Sequence, residues 1–247
     1  MKMFIRADDL GYSEAVNYGI FKSAKDGIIN NIGLMSNMEK ARHGYQLVSD
    51  LDICLGLHAN ISAGKPFSDP AEIPSLVNDE CFKSSRDYNN AQSDIVNFEE
   101  AFKEVQEQVD LFKEIVGYAP RYIDFHAVFS QNFVSAVKAV AEINHIPFIG
   151  ISSEKELYTL NNSTLQTQVA IGNTQQELFD SFKKIIAGNK SGRFDLIIYH
   201  PGFIDADLLM HSSLTEKRVY ETAFLTSNEL KTYITQENIT FERLDSI

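Results

Sequence analysis

Short apolar segments alternate with amphipathic, helix-like segments along most of this 247-residue chain. Parallel strands need such crossovers, because the chain must return to the same edge of the sheet before the next strand begins. The alternation therefore predicts an α/β fold. About eight strands in a chain of this length suit a (β/α) barrel. An open doubly wound sheet is the rival, but no glycine-rich phosphate fingerprint follows the first strand.

Hydrophobic periodicity predicts the individual elements. Strands are predicted at the N-terminus up to residues 8–9 and then over 28–35, 53–58, 122–126, 147–151, 168–171, 194–200 and 239–244. Helices are predicted over 14–25, 40–48, 98–116, 133–143, 175–187, 215–225 and 228–237. The polar, proline-containing segment 62–97 lacks periodicity, so we expect a long functional loop inserted into one domain that spans residues 1–247.

Composition and charge predict which partners and which compartment the protein has. A formal net charge of −12 argues against a nucleic-acid partner. No apolar run approaches membrane-spanning length, and the first residues are typical of a strand rather than of a signal peptide. Cys54 and Cys81 form no zinc or redox spacing, and Cys54 is expected to be a reduced core residue. We therefore expect a cytoplasmic protein with no membrane partner.

Two adjacent carboxylates, Asp8 and Asp9, close the first apolar segment, and Gly11 follows them. Neighbouring side chains of a strand point to opposite faces, so both carboxylates can face one cleft only if the strand has ended. Two like charges are costly to bury together, and a bound cation would relieve that cost. A solvated turn, where Asp is common, is the alternative.

Three histidines, His58, His126 and His200, each stand at the end of a predicted strand. In a parallel α/β fold these strand ends gather on one face, where active sites lie. We therefore expect the histidines to meet the Asp pair in a metal site, although a single histidine at such a position is commonly structural. Two imidazoles and one carboxylate leave positions open on a metal ion, which can acidify water and polarise a carbonyl. The remaining histidines lack this placement and are expected to be structural or solvated: His43, His145 and His211.

Several short motifs together resemble the YdjC-like carbohydrate deacetylases. They are Ala-Asp-Asp-Leu-Gly at 7–11, Gly-Leu-His at 56–58, Asp-Phe-His at 124–126, His-Pro-Gly at 200–202, and Arg218, Glu221 and Leu-Thr-Ser at 225–227. The resemblance implies an irregular (β/α) barrel that removes acetyl groups from N-acetylated sugars such as chitooligosaccharides. It also implies one divalent metal ion, Mg²⁺ or Zn²⁺ with other transition metals possible, and a homodimer.

The resemblance also implies a role for each site residue. Asp9, His58 and His126 correspond to the metal ligands, and Asp8 corresponds to the general base. His200 corresponds to a histidine that protonates the departing amine. A hydrogen-bonded turn residue is the alternative interpretation of His200.

The chain departs from the family pattern near this site. Arg6 replaces an Asn and shares the strand parity of Asp8, so it is expected to pair with Asp8 and hold it ionised, or to pair with another acid. Asp124 is expected to orient His126 or simply to line its strand.

Three further departures are Leu10, which replaces a Phe, and Val128 and Ser130, which replace two family histidines. The loss of the histidines is expected to alter the sugar-facing wall. The expected function is thus a metal-dependent amide hydrolase acting on a small carbohydrate. One alternative is a carbohydrate-binding metal protein without turnover. Another is a metal-dependent phosphoesterase, which would need more ligands and a basic phosphate cradle.

Overall fold

The computed structural model describes residues 1–151, 158–160, 163–190 and 192–246. The strands are Lys2–Leu10 (β1), Asn31–Leu34 (β2), Cys54–Ala59 (β3), Val77–Asn78 (β4), Cys81–Phe82 (β5), Ile123–Phe125 (β6), Tyr158–Leu160 (β7), Ser163–Val169 (β8), Arg193–Tyr199 (β9) and Thr240–Phe241 (β10). The helices are Glu14–Lys25 (α1), Ala41–Val48 (α2), Ser85–Asn89 (α3), Phe98–Val116 (α4), Gln131–Ile143 (α5), Gln175–Gly188 (α6), Ala206–His211 (α7), Glu216–Leu225 (α8) and Asn228–Gln236 (α9).

The first strand lies at the centre of the main sheet. β1 pairs in parallel with β2 and β9 along its length and with the short β10 near its start. The strand order of this sheet is β6-β3-β2-β1-β9-β8-β7, and among its described pairs only β7–β8 is antiparallel. The predicted α/β class is therefore confirmed, and the carboxyl ends of the parallel strands share one edge.

The main sheet is open in the part of the chain that the structure describes. β6 and β7 end the strand path, and no pairing between them is seen in these ranges. Where a strand was predicted over 147–151, a single parallel bridge joins Phe148 to Ile123. The irregular (β/α) barrel that the sequence predicted is thus confirmed in its α/β class, while closure of the sheet is not seen within the described ranges.

The segment 62–97 is more ordered than predicted. It contains the β4–β5 hairpin, the short helix α3 and a 3₁₀ turn at Pro70–Glu72. The buried carboxylate of Glu104, in α4, accepts hydrogen bonds from the backbone N–H groups of Phe67 and Ser68, at 3.2 and 2.9 Å. These contacts satisfy backbone groups that would otherwise be unpaired and fix this segment against the helix.

The helices cover the sheet with their apolar sides. In α4, Val105, Val109 and Phe112 are fully buried, Asn97 caps the first turn and Gly117 ends the helix with a φ of 86°. α7 was not predicted, because six residues are too few to show a helical period. Cys54 is buried and free, as predicted. Among the described helices, none is both long and apolar enough to cross a membrane.

Candidate metal centre and active site

Asp8 and Asp9 face one cavity because β1 is irregular where they stand. The pairing between β1 and β2 shifts register between Ala7 and Leu10, and Asp9 has a left-handed φ of 74°. This irregularity breaks the alternation of a regular strand, and both side chains line the same cavity. We predicted that the strand would have to end for the carboxylates to converge. Instead β1 continues to Leu10, and its irregularity brings them together.

The cavity has a volume of about 690 Å³ and opens at the carboxyl ends of the parallel strands. All five predicted site residues line it: Asp8, Asp9, His58, His126 and His200. The structure therefore brings together side chains that are up to 192 positions apart in the sequence (200 − 8). Their catalytic and ligand roles stay predictions.

Three ligand atoms converge at the base of this cavity. Oδ1 of Asp9 lies 3.4 Å from Nε2 of His58 and 3.1 Å from Nδ1 of His126, and the two ring nitrogens lie 3.3 Å apart. Atoms bound at about 2.0–2.1 Å to one tetrahedral ion are about 3.3 Å from one another. The buried Asp9 Oδ1 accepts no hydrogen bond of normal geometry from the described residues. Spacing and donor type therefore fit a divalent cation.

The orientation of His58 is set from the neighbouring strand. β3 and β6 pair with His58 directly opposite Asp124, and Nδ1 of His58 lies 3.0 Å from Oδ1 of Asp124. This contact places a proton on Nδ1 and directs Nε2 towards Asp9. Asp124 thus orients His58. The sequence had suggested that it would orient His126, and this expectation is wrong. Adjacent parallel strands in register put these two side chains on the same face.

The charges around His58 affect its pKa. Although burial opposes it, Asp124 and Asp8 raise the pKa of His58 well above its usual value. Binding of a cation at Nε2 would therefore displace a proton.

Arg6 pairs both with Asp8 and with a second acid, which are the two pairings that the sequence left open. Its Nε and Nη2 donate to Oδ1 and Oδ2 of Asp8 at 2.6 and 2.8 Å, and Nη2 also contacts Asp124. Burial alone would raise the pKa of Asp8, but Arg6 lowers it below its usual value. Asp8 is therefore ionised. In a second possible metal group, Asp8 with His58 and Asp124, both carboxylates are already paired with this guanidinium, so the Asp9 cluster is the better cation site.

Asp9 is held from the other end of the chain. Nη2 of Arg218, in α8, lies 2.6 Å from Oδ2 of Asp9, and both side chains are buried. Against the effect of burial, Arg218 and His126 keep the pKa of Asp9 well below its usual value. Sequence reasoning noted Arg218 only as part of a motif and assigned it no role. The only signal available was that motif, because nothing in the local sequence links α8 to β1.

His200 directly follows β9 and is held through its backbone. Its N–H donates to the Glu221 carboxylate, and its carbonyl accepts a hydrogen bond from Arg218 Nη1 at 3.4 Å. Burial lowers the pKa of His200 to about 4, so the imidazole is neutral at neutral pH. Burial also raises the pKa of Glu221 to about 6.

Val128 and Ser130, which replace two family histidines, have structural contacts instead of facing the cavity. Val128 is fully buried, and Ser130 caps α5 by accepting from the Phe133 N–H at 3.0 Å and donating to Asp94 at 2.7 Å. Neither residue is among those that line the cavity, whereas Phe129 lines it with 65% of its surface exposed. The two lost histidines are therefore replaced by residues with structural contacts.

The remaining histidines follow the prediction in part. Nδ1 of His43 lies 3.1 Å from the Asn17 side-chain nitrogen, and His145 is exposed. His211, expected in a polar loop, ends α7 and lines the cavity, where its carbonyl accepts a hydrogen bond from Tyr12 at 3.0 Å. It is exposed to solvent, as expected.

Fold and site together define a parallel α/β protein with a buried centre of two histidines and one carboxylate at the strand ends. The YdjC-like protein family matches residues 2–236, and the chain belongs to that family. A carbohydrate deacetylase of Clostridium beijerinckii is 28% identical, with 97% of each chain covered. Carbohydrate deacetylase 2 of Listeria innocua is 26% identical, with 97% of this chain and 96% of the relative covered.

Among solved structures, a protein of Enterococcus faecalis V583 described as a candidate cellobiose-phosphate cleavage protein has the same fold. Its TM-score is 0.84 at 21% identity, over 99% of this chain and 98% of that protein. At this level of identity the match establishes the fold alone.

Proposed function

We propose that this protein is a metal-dependent hydrolase that removes the acetyl group from an N-acetylated sugar. The observation that carries the proposal is the cluster of Asp9 Oδ1, His58 Nε2 and His126 Nδ1 beside an ionised Asp8 in one cavity. The carbohydrate deacetylases among its relatives support the choice of substrate class. Chitooligosaccharides are the substrates that we would test first.

Asp9, His58 and His126 would hold one divalent cation. When bound, this ion would polarise the acetamide carbonyl and lower the pKa of a water molecule. Imidazole nitrogens suit zinc and other transition ions, whereas magnesium prefers oxygen ligands. Among the described residues, the two carboxylates next to the cluster, Asp8 and Asp124, are paired with Arg6. The donor set therefore favours zinc over magnesium.

Asp8 would accept the proton of the attacking water. Its ion pair with Arg6 holds both of its oxygens in one orientation and keeps it ionised. A carboxylate with a lowered pKa is a weak base, so it is effective only towards an acidified water. The water oxygen then bonds to the carbonyl carbon, and the C–N bond breaks to release acetate.

The departing amine also needs a proton. The neutral imidazole of His200 carries one N–H and one free ring nitrogen, so it can donate to the amine and recover a proton that Asp8 has accepted. In the alternative, Asp8 returns its proton to the amine directly and His200 only orients the substrate. Both routes leave the residues in their starting protonation states.

The decisive experiment is acetate release from N-acetylglucosamine and from chitooligosaccharides of increasing length. We would strip the purified protein with a chelator, restore zinc, cobalt, manganese or magnesium one at a time, and use Asp8→Asn as the control. Acetate is expected only with metal restored. Metal-dependent sugar binding without acetate release would favour a binding protein, and phosphate release from a phosphosugar would favour a phosphoesterase.

A further inference from the structure

Arg218 is the largest fully buried side chain among the described residues. Its guanidinium donates to Asp9 Oδ2 at 2.6 Å, to the Leu214 carbonyl at 2.9 Å and to the His200 carbonyl at 3.4 Å. The guanidinium carbon also lies 5.6 Å from the centre of the Tyr12 ring. Partners from β1, from the segment before α8 and from the residue after β9 thus determine where this group lies.

The two carboxylate oxygens of Asp9 therefore have different partners. Oδ2 bonds to Arg218, while Oδ1 faces His58 Nε2 and His126 Nδ1 at 3.4 and 3.1 Å. A carboxylate without such a restraint can bind a cation through one oxygen or through both. With Arg218 in place, only Oδ1 is available on the side of the histidines.

We propose that Arg218 is a positioning residue that restricts Asp9 to one-oxygen coordination of the metal ion. This inference rests on the metal site of the proposed function. One-oxygen coordination limits the protein to three donor atoms and leaves the other positions of the ion for water and substrate, as hydrolytic centres require. An arginine suits this task because its planar fork reaches a carboxylate and two carbonyls at once, which the single ammonium of lysine does not.

Visible spectra of the cobalt-loaded protein test the proposal, because the intensity of Co²⁺ bands falls as coordination number rises. Arg218→Met removes the charge and the donors while it keeps an unbranched apolar stem. We expect its cobalt bands to be weaker than those of the wild type, because Asp9 can then supply its second oxygen. A folded variant that no longer binds cobalt would contradict the proposal, because freeing the second oxygen of Asp9 adds a donor atom and should not abolish binding. An unchanged spectrum would overturn it.

Lys217→Met is the matched control. This variant removes a positive charge from the neighbouring position of α8, and Lys217 Nζ contacts the Ala170 carbonyl and Glu221 at 3.2 and 3.4 Å rather than Asp9. Its cobalt spectrum is expected to match that of the wild type. If both variants weaken the bands equally, the effect is one of charge alone and the positioning role is refuted.

A crystal structure of the cobalt-loaded wild type tests the proposal even if Arg218→Met does not fold. We expect one Asp9 oxygen on the ion and the other on Arg218. Both Asp9 oxygens on the ion would overturn the inference and leave the proposed metal site intact. Wild-type protein that binds no cobalt would instead refute the metal site of the proposed function, and the inference would fail with it.

Discussion

His58 and Asp124 face each other across two adjacent parallel strands, with Nδ1 of His58 3.0 Å from Oδ1 of Asp124. Because Nδ1 of His58 is held by this carboxylate, Nε2 is directed towards Asp9 and His126. The contact couples the pairing of β3 with β6 to the chemistry of the cavity. It also leads to a prediction for Asp124, which would not itself bind the metal ion.

Asp124→Asn is expected to weaken zinc binding about 10–100-fold, as loss of the partner of a metal-binding histidine generally does. Competition with a chromophoric chelator measures the dissociation constant. Asp195→Asn is the control, because Asp195 is equally buried but bonds to Gln168 and Asn189 outside the cavity. Equal zinc affinity in wild type and Asp124→Asn would contradict the orienting role.

The double variant His58→Ala, His126→Ala is expected to lose stoichiometric metal, because it removes both imidazole donors of the cluster. Metal content is measured by mass spectrometry after dialysis, and circular dichroism checks that the variant is folded. His43→Ala serves as the control, because His43 lies on α2 and does not line the cavity. One equivalent of metal retained in the double variant would mean that the ion binds elsewhere.

Asp8→Asn is expected to keep the metal and the fold but to lower kcat about 10²–10⁴-fold, the usual effect of a positioned proton-transfer group. The asparagine still accepts a hydrogen bond from Arg6 but cannot take a proton from water. Turnover close to that of the wild type would remove Asp8 from the mechanism. Loss of metal would instead make Asp8 a ligand.

His200→Gln is expected to lower kcat about 10²–10⁴-fold with little change in KM if the imidazole passes a proton to the amine. Because burial lowers the pKa of His200 to about 4, an alkaline limb from loss of its imidazolium is not expected in kcat/KM near neutral pH. Kinetics from about pH 5 to about pH 9 check both points. His211→Gln is the matched control at the cavity rim. A raised KM with kcat unchanged would make His200 a binding group.

Glu221→Gln is expected to change how stability depends on pH. Burial raises the pKa of Glu221 from 4.5 to about 6, so between these values the folded state binds more protons than the unfolded state. Stability from this group is therefore present at low pH and is lost as pH rises through about 6, by about 2 kcal/mol in all. The variant keeps an oxygen to accept the His200 N–H but does not titrate.

Urea denaturation of the wild type and of Glu221→Gln, from about pH 4 to about pH 7, measures the difference between their free energies of unfolding. The free energy of unfolding of the wild type, relative to Glu221→Gln, is expected to fall across that range. A difference that stays constant with pH would show that Glu221 titrates normally in the folded protein.

Local pattern was sufficient for much of the fold and for the position of the site. The alternation of strand and helix predicted the α/β class, because a period of two or of 3.6 residues is a property of the local chain. Asp8, Asp9, His58, His126 and His200 were found because each stands at the carboxyl end of a predicted parallel strand. Chain direction alone places those ends on one face.

Local pattern was insufficient wherever the outcome depended on distant parts of the chain. An irregular (β/α) barrel was predicted from the number of strands, which does not reveal which strands pair at the edges of the sheet. The segment 62–97 was predicted to lack structure because its order comes from Glu104, on a later helix. The short helix α7 was missed because too few residues show its period.

By itself, the sequence determined the parallel α/β class and the set of carboxylates and imidazoles at the strand ends, since both follow from local periodicity and chain direction. Only the tertiary structure decided that an irregularity in β1 turns Asp8 and Asp9 to one side. It also decided that Asp124 orients His58, and that Arg218, 209 positions away, occupies the second oxygen of Asp9. These contacts depend on strand register and on long-range packing, for which a one-dimensional pattern carries no local signal.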